Sequence, residues 1–283
     1  MTTWLITGCS TGLGRSFARA ALEAGFNAVI TARNTQTLDE LASDYPETAL
    51  AAALDVTDKE AVARVVQQAE DRFGAVDVLV NNAGYGYRGA VEEGDDREVA
   101  DLFATNFFSA VAMIKAVLPG MRARRGGTIV NVSSIGGRLA VPGSGYYCAT
   151  KFAVEGMSDA LRKELAPLGI RVIVVEPGAF RTAFAGGNLV QAKACIEDYA
   201  STSGPRRKEN DRTHGTQPGD PDKGARVLID VVGRSNPPFR LVLGSDALRS
   251  ARAELDAQRA ELEAWKDISN STDFADGNRQ PPR

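Results

Sequence analysis

The chain has 283 residues, a charged fraction of 24% and a formal net charge of −3, a composition typical of globular proteins. This slightly acidic balance provides no basic field for nucleic acid or anionic lipid, so we expect neither as a partner. No uninterrupted apolar run reaches the roughly 18 residues that a membrane span needs. The first residues, Met1 to Thr7, lack the basic segment of a secretory signal. We therefore expect a cytoplasmic protein with no membrane span.

Cysteine and histidine content limits the chemistry that this chain can perform. Cys9, Cys148 and Cys195 are odd in number and widely spaced, which predicts neither disulfides nor a zinc site. His214 is the single histidine and lies in a polar stretch. We therefore expect no histidine-based catalytic dyad and no metal centre.

Short apolar runs alternate with helical stretches along most of the chain. Strands are predicted at 4–7, 27–32, 50–54, 76–80, 128–132, 170–175 and 239–243. Helices are predicted at 14–24, 98–122 and 146–166, and a further helix follows Thr57, whose spacing to Glu60 has the form of a capping box. This alternation is typical of an α/β protein with a parallel sheet between helices. Right-handed crossovers then produce a doubly wound sheet.

Two segments depart from this alternation. Residues 186–222 are rich in Gly, Pro, Ser, Thr and charge, which predicts a long mobile insertion. Residues 246–266 predict a helix rich in Ala, Leu, Glu and Arg, and the tail after it is polar. We predict one catalytic domain over 1–245, which includes a substrate loop at 183–222, and a C-terminal extension over 246–283.

A glycine-rich turn connects the first strand to the first helix. It reads Thr7-Gly8-Cys9-Ser10-Thr11-Gly12-Leu13-Gly14. Glycines let backbone N–H groups approach a pyrophosphate, and the helix N-terminus adds partial positive charge. The spacing resembles the short-chain dehydrogenase/reductase family and differs from the G-x-G-x-x-G of larger dehydrogenases. The resemblance implies a single-domain Rossmann-type fold whose cofactor contacts here are Gly8, Ser10, Gly12, Leu13 and Gly14.

The end of the second strand indicates which dinucleotide is bound. Enzymes that use NAD usually carry an acidic residue here, which bonds the ribose 2′-hydroxyl. This chain instead has Ala32-Arg33-Asn34. A guanidinium at this point can pair with a 2′-phosphate, as in the NADP-preferring members that the chain resembles. We therefore predict NADP(H) as the cofactor, although Thr11 stands where some members add a second basic residue.

The family's remaining cofactor contacts also have counterparts after later strands. They match Asp55, Val56, Asn82, Gly84, Pro177 and Thr182. By this resemblance, Asp55 bonds the adenine amino group and Asn82 and Gly84 border the cofactor. Thr182 ends a Pro-Gly-x-x-x-Thr element and would bond the nicotinamide carboxamide. The carboxyl ends of parallel strands share one sheet edge, where ligands bind in such folds.

Tyr147 and Lys151 are four residues apart on one face of a predicted helix, and Ser134 lies thirteen residues earlier. A carbonyl that accepts a hydride becomes an alkoxide and must be protonated, and a tyrosine with a reference pKa of about 10 needs a nearby ammonium for this task. The resemblance makes Tyr147 the proton donor and Ser134 the partner of the carbonyl oxygen. It makes Lys151 the group that lowers the tyrosine pKa and bonds the nicotinamide ribose, and Asn106 the holder of a water that links Lys151 to solvent. Tyr146 is a rival to Tyr147, but it misses the four-residue step.

The sequence also indicates a substrate class. Asn-Ala-Gly-Tyr-Gly at 82–86 and Glu-Pro-Gly-Ala-Phe-Arg-Thr at 176–182 resemble the branch with 17β-hydroxysteroid and retinol dehydrogenases. That implies an oxidoreductase that transfers hydride between NADP(H) and a hydrophobic small-molecule carbonyl or secondary alcohol.

Two other functions and the oligomeric state remain open at this point. A 3-oxoacyl-carrier-protein reductase would carry a basic docking patch beside its cleft, and none is clear in the sequence. A non-catalytic NADP(H)-binding regulator would not need Ser134, Tyr147 and Lys151 together. Family members often associate through the helices at 98–122 and 146–166, so either a homodimer or a homotetramer is compatible with the sequence.

Overall fold

The computed structural model describes residues 1–182, 189–209 and 215–274. Its centre is a sheet of seven parallel strands in the order β3-β2-β1-β4-β6-β7-β9. These strands are β1 Thr3–Ile6, β2 Asn27–Ala32, β3 Ala49–Ala53, β4 Val78–Asn81, β6 Gly127–Val132, β7 Ile170–Pro177 and β9 Arg240–Leu243. Two short strands, β5 Gly86–Arg88 and β8 Leu189–Gln191, pair in parallel outside this sheet. The predicted α/β class with a doubly wound parallel sheet is confirmed.

Helices cover both faces of the sheet. In chain order they are α1 Gly12–Glu23, α2 Asp39–Asp44, α3 Lys59–Phe73, α4 Asp96–Phe103, α5 Ser109–Arg124, α6 Gly145–Leu165, α7 Gly204–Arg207, α8 Pro221–Gly233, α9 Ser245–Ala264 and α10 Lys266–Asn270. Side chains of successive strand residues alternate between the two faces. Ile6 therefore packs in the cluster with α1 and α8, while Leu5 packs in the cluster with α3, α5 and α6. The two cores hold the strands rigidly, so that their carboxyl ends share one edge.

The predicted capping box at the start of α3 is wrong. Asp58, not Thr57, is the N-cap, and its carboxylate accepts the backbone N–H groups of Glu60 and Ala61 at 2.8 and 3.1 Å. Thr57 instead donates its N–H and hydroxyl to Asp55 at 2.9 and 2.7 Å. The carboxylate at the end of β3 thus engages Thr57 before the helix begins, and the next residue takes over the cap.

The helical path from Asp96 to Arg124 is long and apolar enough to cross a membrane, judged by length and composition alone. This evidence is weak, because a core helix of a soluble protein has the same properties. Here Met113, Val117 and Met121 of α5 are buried in the core that covers one face of the sheet. Packing therefore accounts for part of the apolar character of this helix.

The predicted insertion contains regular structure in its described part. β8 pairs with β5, α7 lies within residues 204–207, and α8 begins at Pro221 with Asp220 as its N-cap. Residues 183–188 and 210–214, including His214, lie outside the described residues, as does the polar tail from residue 275. Residues 189–209 and 215–222 are therefore the parts of the predicted substrate loop whose contacts can be traced.

Candidate active site

The glycine turn lies at the point where the strand order reverses. β1 has β2 on one side and β4 on the other, so the turn opens between two diverging connections at the carboxyl edge of the sheet. Gly8 and Gly12 have positive φ angles of 73° and 63°. A Cβ on Gly14 would lie 2.2 Å from the Gly8 carbonyl oxygen, so no larger residue fits there. Asn82, after β4, donates its amide to the carbonyls of Thr7 and Gly8 at 2.8 and 3.2 Å.

The N-terminus of α1 can hold a phosphate. Its N-cap, Thr11, makes no side-chain capping bond, and the first turn carries no acidic residue. Backbone N–H groups at this terminus therefore remain available to an anion. Ser10 is half-buried beside them, and Leu13 packs on the core beneath the helix. These residues fit a pyrophosphate-containing dinucleotide.

The predicted nicotinamide element meets the same turn. Pro177 ends β7 and is buried, and Thr182 follows five residues later. A Cβ on Gly12 would lie 3.5 Å from the Cβ of Thr182, so the two segments approach closely. Phe180 turns away and packs its ring against Gly224 of α8. The chain thus brings the ends of β1 and β7 to one cleft.

Arg33 and Asp55 lie at neighbouring strand ends, as predicted for the adenosine half of a dinucleotide. Arg33 is exposed and forms no ion pair among the described residues. Hydrogen bonds from Thr57, and to a lesser extent the charge of Arg33, hold the pKa of Asp55 below its usual range. Val56 is buried next to Asp55. An additional arginine, Arg15, reaches this region and donates to the Thr37 carbonyl at 2.8 Å.

Ser134, Tyr147 and Lys151 converge on the carboxyl edge beyond β6. Ser134 follows β6 in extended backbone, while Tyr147 and Lys151 occupy the first two turns of α6. Tyr147 is hydrogen-bonded to Ser134. The Lys151 ammonium lies 5.8 Å from the centre of the Tyr147 ring and donates to the Val132 carbonyl at 2.9 Å. The three residues that the sequence spacing selected therefore lie together in the structure.

Burial dominates the protonation of both ionisable groups in this cluster. It raises the pKa of Tyr147 to about 12, although the hydrogen bond to Ser134 opposes the shift. It lowers the pKa of Lys151 to about 8, against the charge of Glu155. Lys151 was expected to lower the pKa of Tyr147, but removal from water outweighs every favourable charge here. At neutral pH Tyr147 therefore retains its proton.

Asn106 lies behind Lys151 in a widened helical turn, residues 104–108, between α4 and α5. Its carboxamide accepts the Tyr85 N–H and donates to the Tyr85 carbonyl, both at 2.9 Å, and also donates to Thr150 at 3.2 Å. A Cβ on Gly84 would lie 3.0 Å from the Asn106 carboxamide oxygen and 3.8 Å from the Lys151 ammonium. The carboxamide of Asn106 and the ammonium of Lys151 therefore both lie next to Gly84.

Tyr146 is directed elsewhere. Its hydroxyl donates to the Val91 carbonyl at 2.8 Å, and its ring lies edge-on to Tyr87 with ring centres 6.0 Å apart. The hydroxyl is thus engaged with the segment after β5. The structure favours Tyr147 over Tyr146 as the residue that faces Ser134.

A buried ionic network beside Lys151 was not predicted from the sequence. Glu155, one helical turn after Lys151, pairs with Arg240 at 3.0 Å, and Glu176 pairs with Arg138 at 2.8 Å. Burial raises the pKa of Glu176. The available signals were the four-residue step from Lys151 to Glu155 and the position of Glu176 at the end of β7. The charge of Glu155 opposes the loss of the proton from Lys151.

The burial of Lys151 predicts a pH-dependent gain in stability when the charge is removed. Its pKa of about 8 lies below the unfolded value of 10.5. The unfolded chain therefore binds the Lys151 proton more tightly than the folded chain does. The resulting loss of folding stability is fully present below pH 8 and disappears between pH 8 and 10.5. We expect Lys151→Met to raise the free energy of unfolding at pH 7 by roughly 1–3 kcal/mol after the loss of the hydrogen bond to Val132.

Chemical denaturation at pH 7.0, 8.5 and 9.5 measures this effect. The gain should shrink as the pH rises. Lys163→Met, on the exposed face of the same helix, serves as the matched control and should change stability by about 0.5 kcal/mol or less. A Lys151→Met protein that is less stable than the parent at pH 7 would contradict the prediction.

Residues 189–209 are attached beside this cluster through a buried ion pair. Arg207 donates to Glu93 at 2.6 Å, and the Glu93 side chain is 1% exposed. The same carboxylate accepts the N–H groups of Ala90 and Ile196 at 2.7 and 2.8 Å. Arg207 also donates to the Ala192 carbonyl at 2.8 Å. One carboxylate thus connects the segment after β5 to both ends of the insertion's described part.

A second set of contacts brings the insertion close to Tyr147. Arg88 donates to the Arg206 carbonyl at 2.5 Å and pairs with Glu209 at 3.3 Å. Arg206 donates to Ser144, just before α6, at 3.0 Å, and also pairs with Glu209. The charge of Arg206 slightly opposes the rise in the pKa of Tyr147. The insertion therefore borders the candidate active site.

A cavity of about 550 Å³ lies elsewhere, at the amino ends of β1, β4 and β6. Trp4, Asp77, Arg124 and Arg171 are among the residues that line it. This edge is opposite to the glycine turn and to Tyr147. Ligands of doubly wound sheets bind at the carboxyl edge, so this cavity is separate from the candidate active site.

A doubly wound sheet with a glycine turn at its switch point and a Ser–Tyr–Lys cluster at the same edge defines an α/β nucleotide-dependent oxidoreductase. The short chain dehydrogenase family matches residues 2–191 of this chain. The chain therefore belongs to the short-chain dehydrogenase/reductase family, and it is an oxidoreductase of that family.

Curated relatives match nearly the whole chain. Oxidoreductase BOA17 of Botryotinia fuckeliana is 38% identical over 94% of this chain and 97% of its own length. A 3-ketodihydrosphingosine reductase of Bacteroides thetaiotaomicron is 40% identical over 85% of this chain and 87% of its own. Retinol dehydrogenase 8 of Bos taurus is 35% identical over 84% of this chain and 80% of its own.

Solved structures show the same fold. A short-chain dehydrogenase from Streptomyces avermitilis has a TM-score of 0.90 and 44% identity, with 96% of this chain and 98% of that chain covered. An alcohol dehydrogenase from Thermococcus sibiricus in complex with 5-hydroxy-NADP has a TM-score of 0.70 and 25% identity, covering 86% and 96%. A single-residue variant of actinorhodin polyketide ketoreductase with NADPH has a TM-score of 0.72 and 29% identity, covering 85% and 95%.

Proposed function

We propose that this chain transfers hydride between NADP(H) and a carbonyl or secondary alcohol on a hydrophobic small molecule. The observation that carries the proposal is the cluster of Ser134, Tyr147 and Lys151 beside the glycine turn. When bound, the nicotinamide supplies or accepts the hydride. The protein's own groups bind the cofactor, orient the carbonyl and move the proton that completes the reaction.

Tyr147 is the proton donor in the direction of reduction. Burial keeps its hydroxyl protonated at neutral pH, so it is able to donate to an alkoxide. Ser134, already hydrogen-bonded to Tyr147, is the second partner of the same oxygen and stabilises the charge that develops there. Lys151 contributes a buried positive charge beside Tyr147, and Asn106 positions the surroundings of Lys151.

NADP(H) is preferred over NAD(H) because Arg33 stands where an acidic residue would bond the ribose 2′-hydroxyl. The guanidinium is exposed at the carboxyl end of β2 and is near Asp55. No carboxylate among the described residues is paired with it, so it remains available to a phosphate. Relatives in solved structures bind 5-hydroxy-NADP and NADPH, which supports this preference.

Arg33→Ala is expected to reduce the preference for NADPH over NADH. A charge-assisted contact contributes on the order of 1.5–3 kcal/mol, which corresponds to roughly 10- to 150-fold in affinity. Dissociation constants for both cofactors should be measured on the parent and the variant. NADPH affinity should fall and NADH affinity should stay within a few-fold. Arg19→Ala, which removes an exposed arginine on α1 rather than at the end of β2, is the control. A parent that binds both cofactors equally would refute the preference.

A hydrophobic substrate is favoured by the aromatic and apolar side chains that pack beside Tyr147. Tyr85, Tyr146 and Val190 pack with Tyr147 around buried Tyr87 and Leu102; Val190 comes from the insertion. Two relatives are named for retinol and 3-ketodihydrosphingosine, both of which carry long hydrocarbon portions. Residues 183–222, whose described part is 189–209 and 215–222, are proposed as the substrate lid; Phe184, an expected contributor, lies outside the described residues.

A panel of ketones, aldehydes and steroids, followed by NADPH absorbance, tests the proposed activity. Turnover on apolar carbonyls is expected, and NADPH binding without turnover on any carbonyl would instead support a non-catalytic regulator. Among the described residues of the insertion, Arg206 and Arg207 are already paired with carboxylates. These two arginines are therefore not available to dock an acyl-carrier protein, and the apolar side chains around Tyr147 favour a free small molecule as the substrate.

A further inference from the structure

The helix α9 extends away from the body of the protein. Only its first turns are packed, where Ala247 and Ala251 are buried. Every residue from Leu255 to Asn270 is exposed. The unpacked part of α9 runs from Leu255 to Ala264. An isolated helix shorter than about 12–15 residues is marginally stable in water, because few contacts offset the cost of ordering it. A helix in this situation is stabilised when its apolar side meets a partner.

One side of α9 is apolar at intervals of seven residues. Leu248, Leu255 and Leu262 are 43%, 52% and 73% exposed. Trp265, 57% exposed, is the C-cap residue at the end of the helix. A seven-residue repeat is the spacing of a coiled coil, in which one stripe of each helix faces the other. In heptad notation the three leucines occupy position a, and Ala251 and Gln258 occupy position d. Ala251 is buried against the protein's own body, so the stripe open to a partner runs from Leu255 to Leu262.

The charges that flank this stripe differ in sign from one side to the other. Position e holds Arg252 and Arg259, and position g holds Glu254 and Glu261. In a parallel pair, position g of one helix faces position e five residues later on the other. Glu254 would then meet Arg259 of the second copy. The position that would face Glu261 is Lys266, which lies past the end of α9 and begins α10. An antiparallel pair would instead oppose Glu to Glu and Arg to Arg.

We propose that two copies of this chain associate by pairing their α9 helices as a parallel two-stranded coiled coil. The polar tail at 275–283 contains a single aliphatic side chain besides its two prolines, so it is a poor cover for the leucines. Within the described ranges, Arg252, Arg259 and Glu261 form no ion pair, which leaves them available to a second copy. Gln258 at position d favours one register over its alternatives, as polar core residues do in coiled coils.

Cross-linking tests both the pairing and its direction. Cys195 is the exposed native cysteine, and Cys9 and Cys148 are buried, so the experiment uses a Cys195→Ser protein. Leu255→Cys and Leu262→Cys, introduced separately, are expected to form covalent dimers on mild oxidation or with a short bis-maleimide. Ala260→Cys, on the opposite face, is the control. Dimers at neither leucine position, or at Ala260 equally, would overturn the proposal, and dimers at one leucine position alone would overturn the parallel direction.

Charge reversal provides a second test, with Leu262→Cys cross-linking as its readout. Glu254→Lys with Glu261→Lys makes both flanks basic, and the cross-linked fraction should be lost. Adding Arg252→Glu and Arg259→Glu to that protein exchanges the two flanks of α9 and should restore the cross-linked fraction. Circular dichroism confirms that each protein is folded. Equal cross-linking in all three proteins would show that the flanking charges do not guide the association and would overturn this part of the argument.

Discussion

Tyr147→Phe is expected to lower turnover about 100- to 10,000-fold, because the ring remains and the transferable proton is removed. Tyr147 faces Ser134 and lies beside Lys151, with ring centre and ammonium 5.8 Å apart. Tyr147 is the ionisable hydroxyl of that cluster, and its pKa of about 12 keeps the proton in place at neutral pH. NADPH affinity should change little, since the glycine turn and Arg33 are untouched.

Tyr146→Phe is the matched control, because the same atom is removed from the adjacent residue. The Tyr146 hydroxyl donates to the Val91 carbonyl at 2.8 Å and does not contact Ser134. Its loss should reduce turnover by less than about tenfold, through one weakened hydrogen bond. Steady-state rates on the best ketone and an NADPH titration distinguish the two variants. If Tyr147→Phe keeps turnover within a few-fold of the parent, Tyr147 is not the proton donor.

Glu93→Gln is expected to detach the insertion from the body of the protein. The side chain of Glu93 is 1% exposed and that of Arg207 is 15% exposed, so the substitution leaves a guanidinium buried without its counter-charge. Removing one partner of a buried pair costs roughly 3–5 kcal/mol, and the partial exposure of Arg207 favours the lower end. About 3 kcal/mol corresponds to roughly 100-fold in an opening equilibrium.

This change should appear in two measurements. Limited proteolysis within residues 189–209 should accelerate by up to about 100-fold if opening precedes cleavage. The Michaelis constant should rise for bulky apolar substrates while NADPH affinity is retained, because Glu93 is remote from the glycine turn. Asp230→Asn, which breaks the exposed pair with Arg234, is the control and should cost less than about 1 kcal/mol. Unchanged proteolysis and kinetics in Glu93→Gln would rule out a lid that depends on this ion pair.

The same ion pair predicts a pH dependence. Burial of Glu93 favours its neutral form, but hydrogen bonds from Arg207 and from two backbone N–H groups outweigh burial and hold its pKa below the usual range. A carboxylate with a lowered pKa stabilises the folded state fully above its unfolded pKa of about 4.3, and that contribution is lost as the pH falls through the lower, folded value. Protease resistance of the insertion should therefore decline below about pH 4 in the parent, and Glu93→Gln should lack this transition.

The parallel sheet and the catalytic cluster were predictable from local patterns. Buried parallel strands appear as short apolar runs, and each motif follows such a run directly. Because parallel strands end at one edge, the glycine turn, Asn82 and Ser134 had to be neighbours once the strand order was known. The four-residue step from Tyr147 to Lys151 required only helix geometry. Their proposed roles rest on the family resemblance and await the variants above.

The partners of individual polar side chains were not predictable in this way. Glu93 and Arg207 are 114 residues apart, and neither stands in a recognisable motif. Thr57 was assigned as a helix cap by its spacing to Glu60, but Asp55 engages it and Asp58 caps the helix. In both cases the deciding partner was chosen by three-dimensional proximity among several chemically equivalent candidates.

The sequence by itself determined the family, the sheet and the residues that meet at its carboxyl edge, because these depend on periodicity and on spacing within one element. Only the tertiary structure decided the electrostatics of the site. The pKa of Tyr147 rises to about 12 and that of Lys151 falls to about 8 through burial. Burial depends on every group packed around a side chain, such as Glu155 beside Lys151 and the insertion beside Tyr147. A local sequence pattern does not specify those groups.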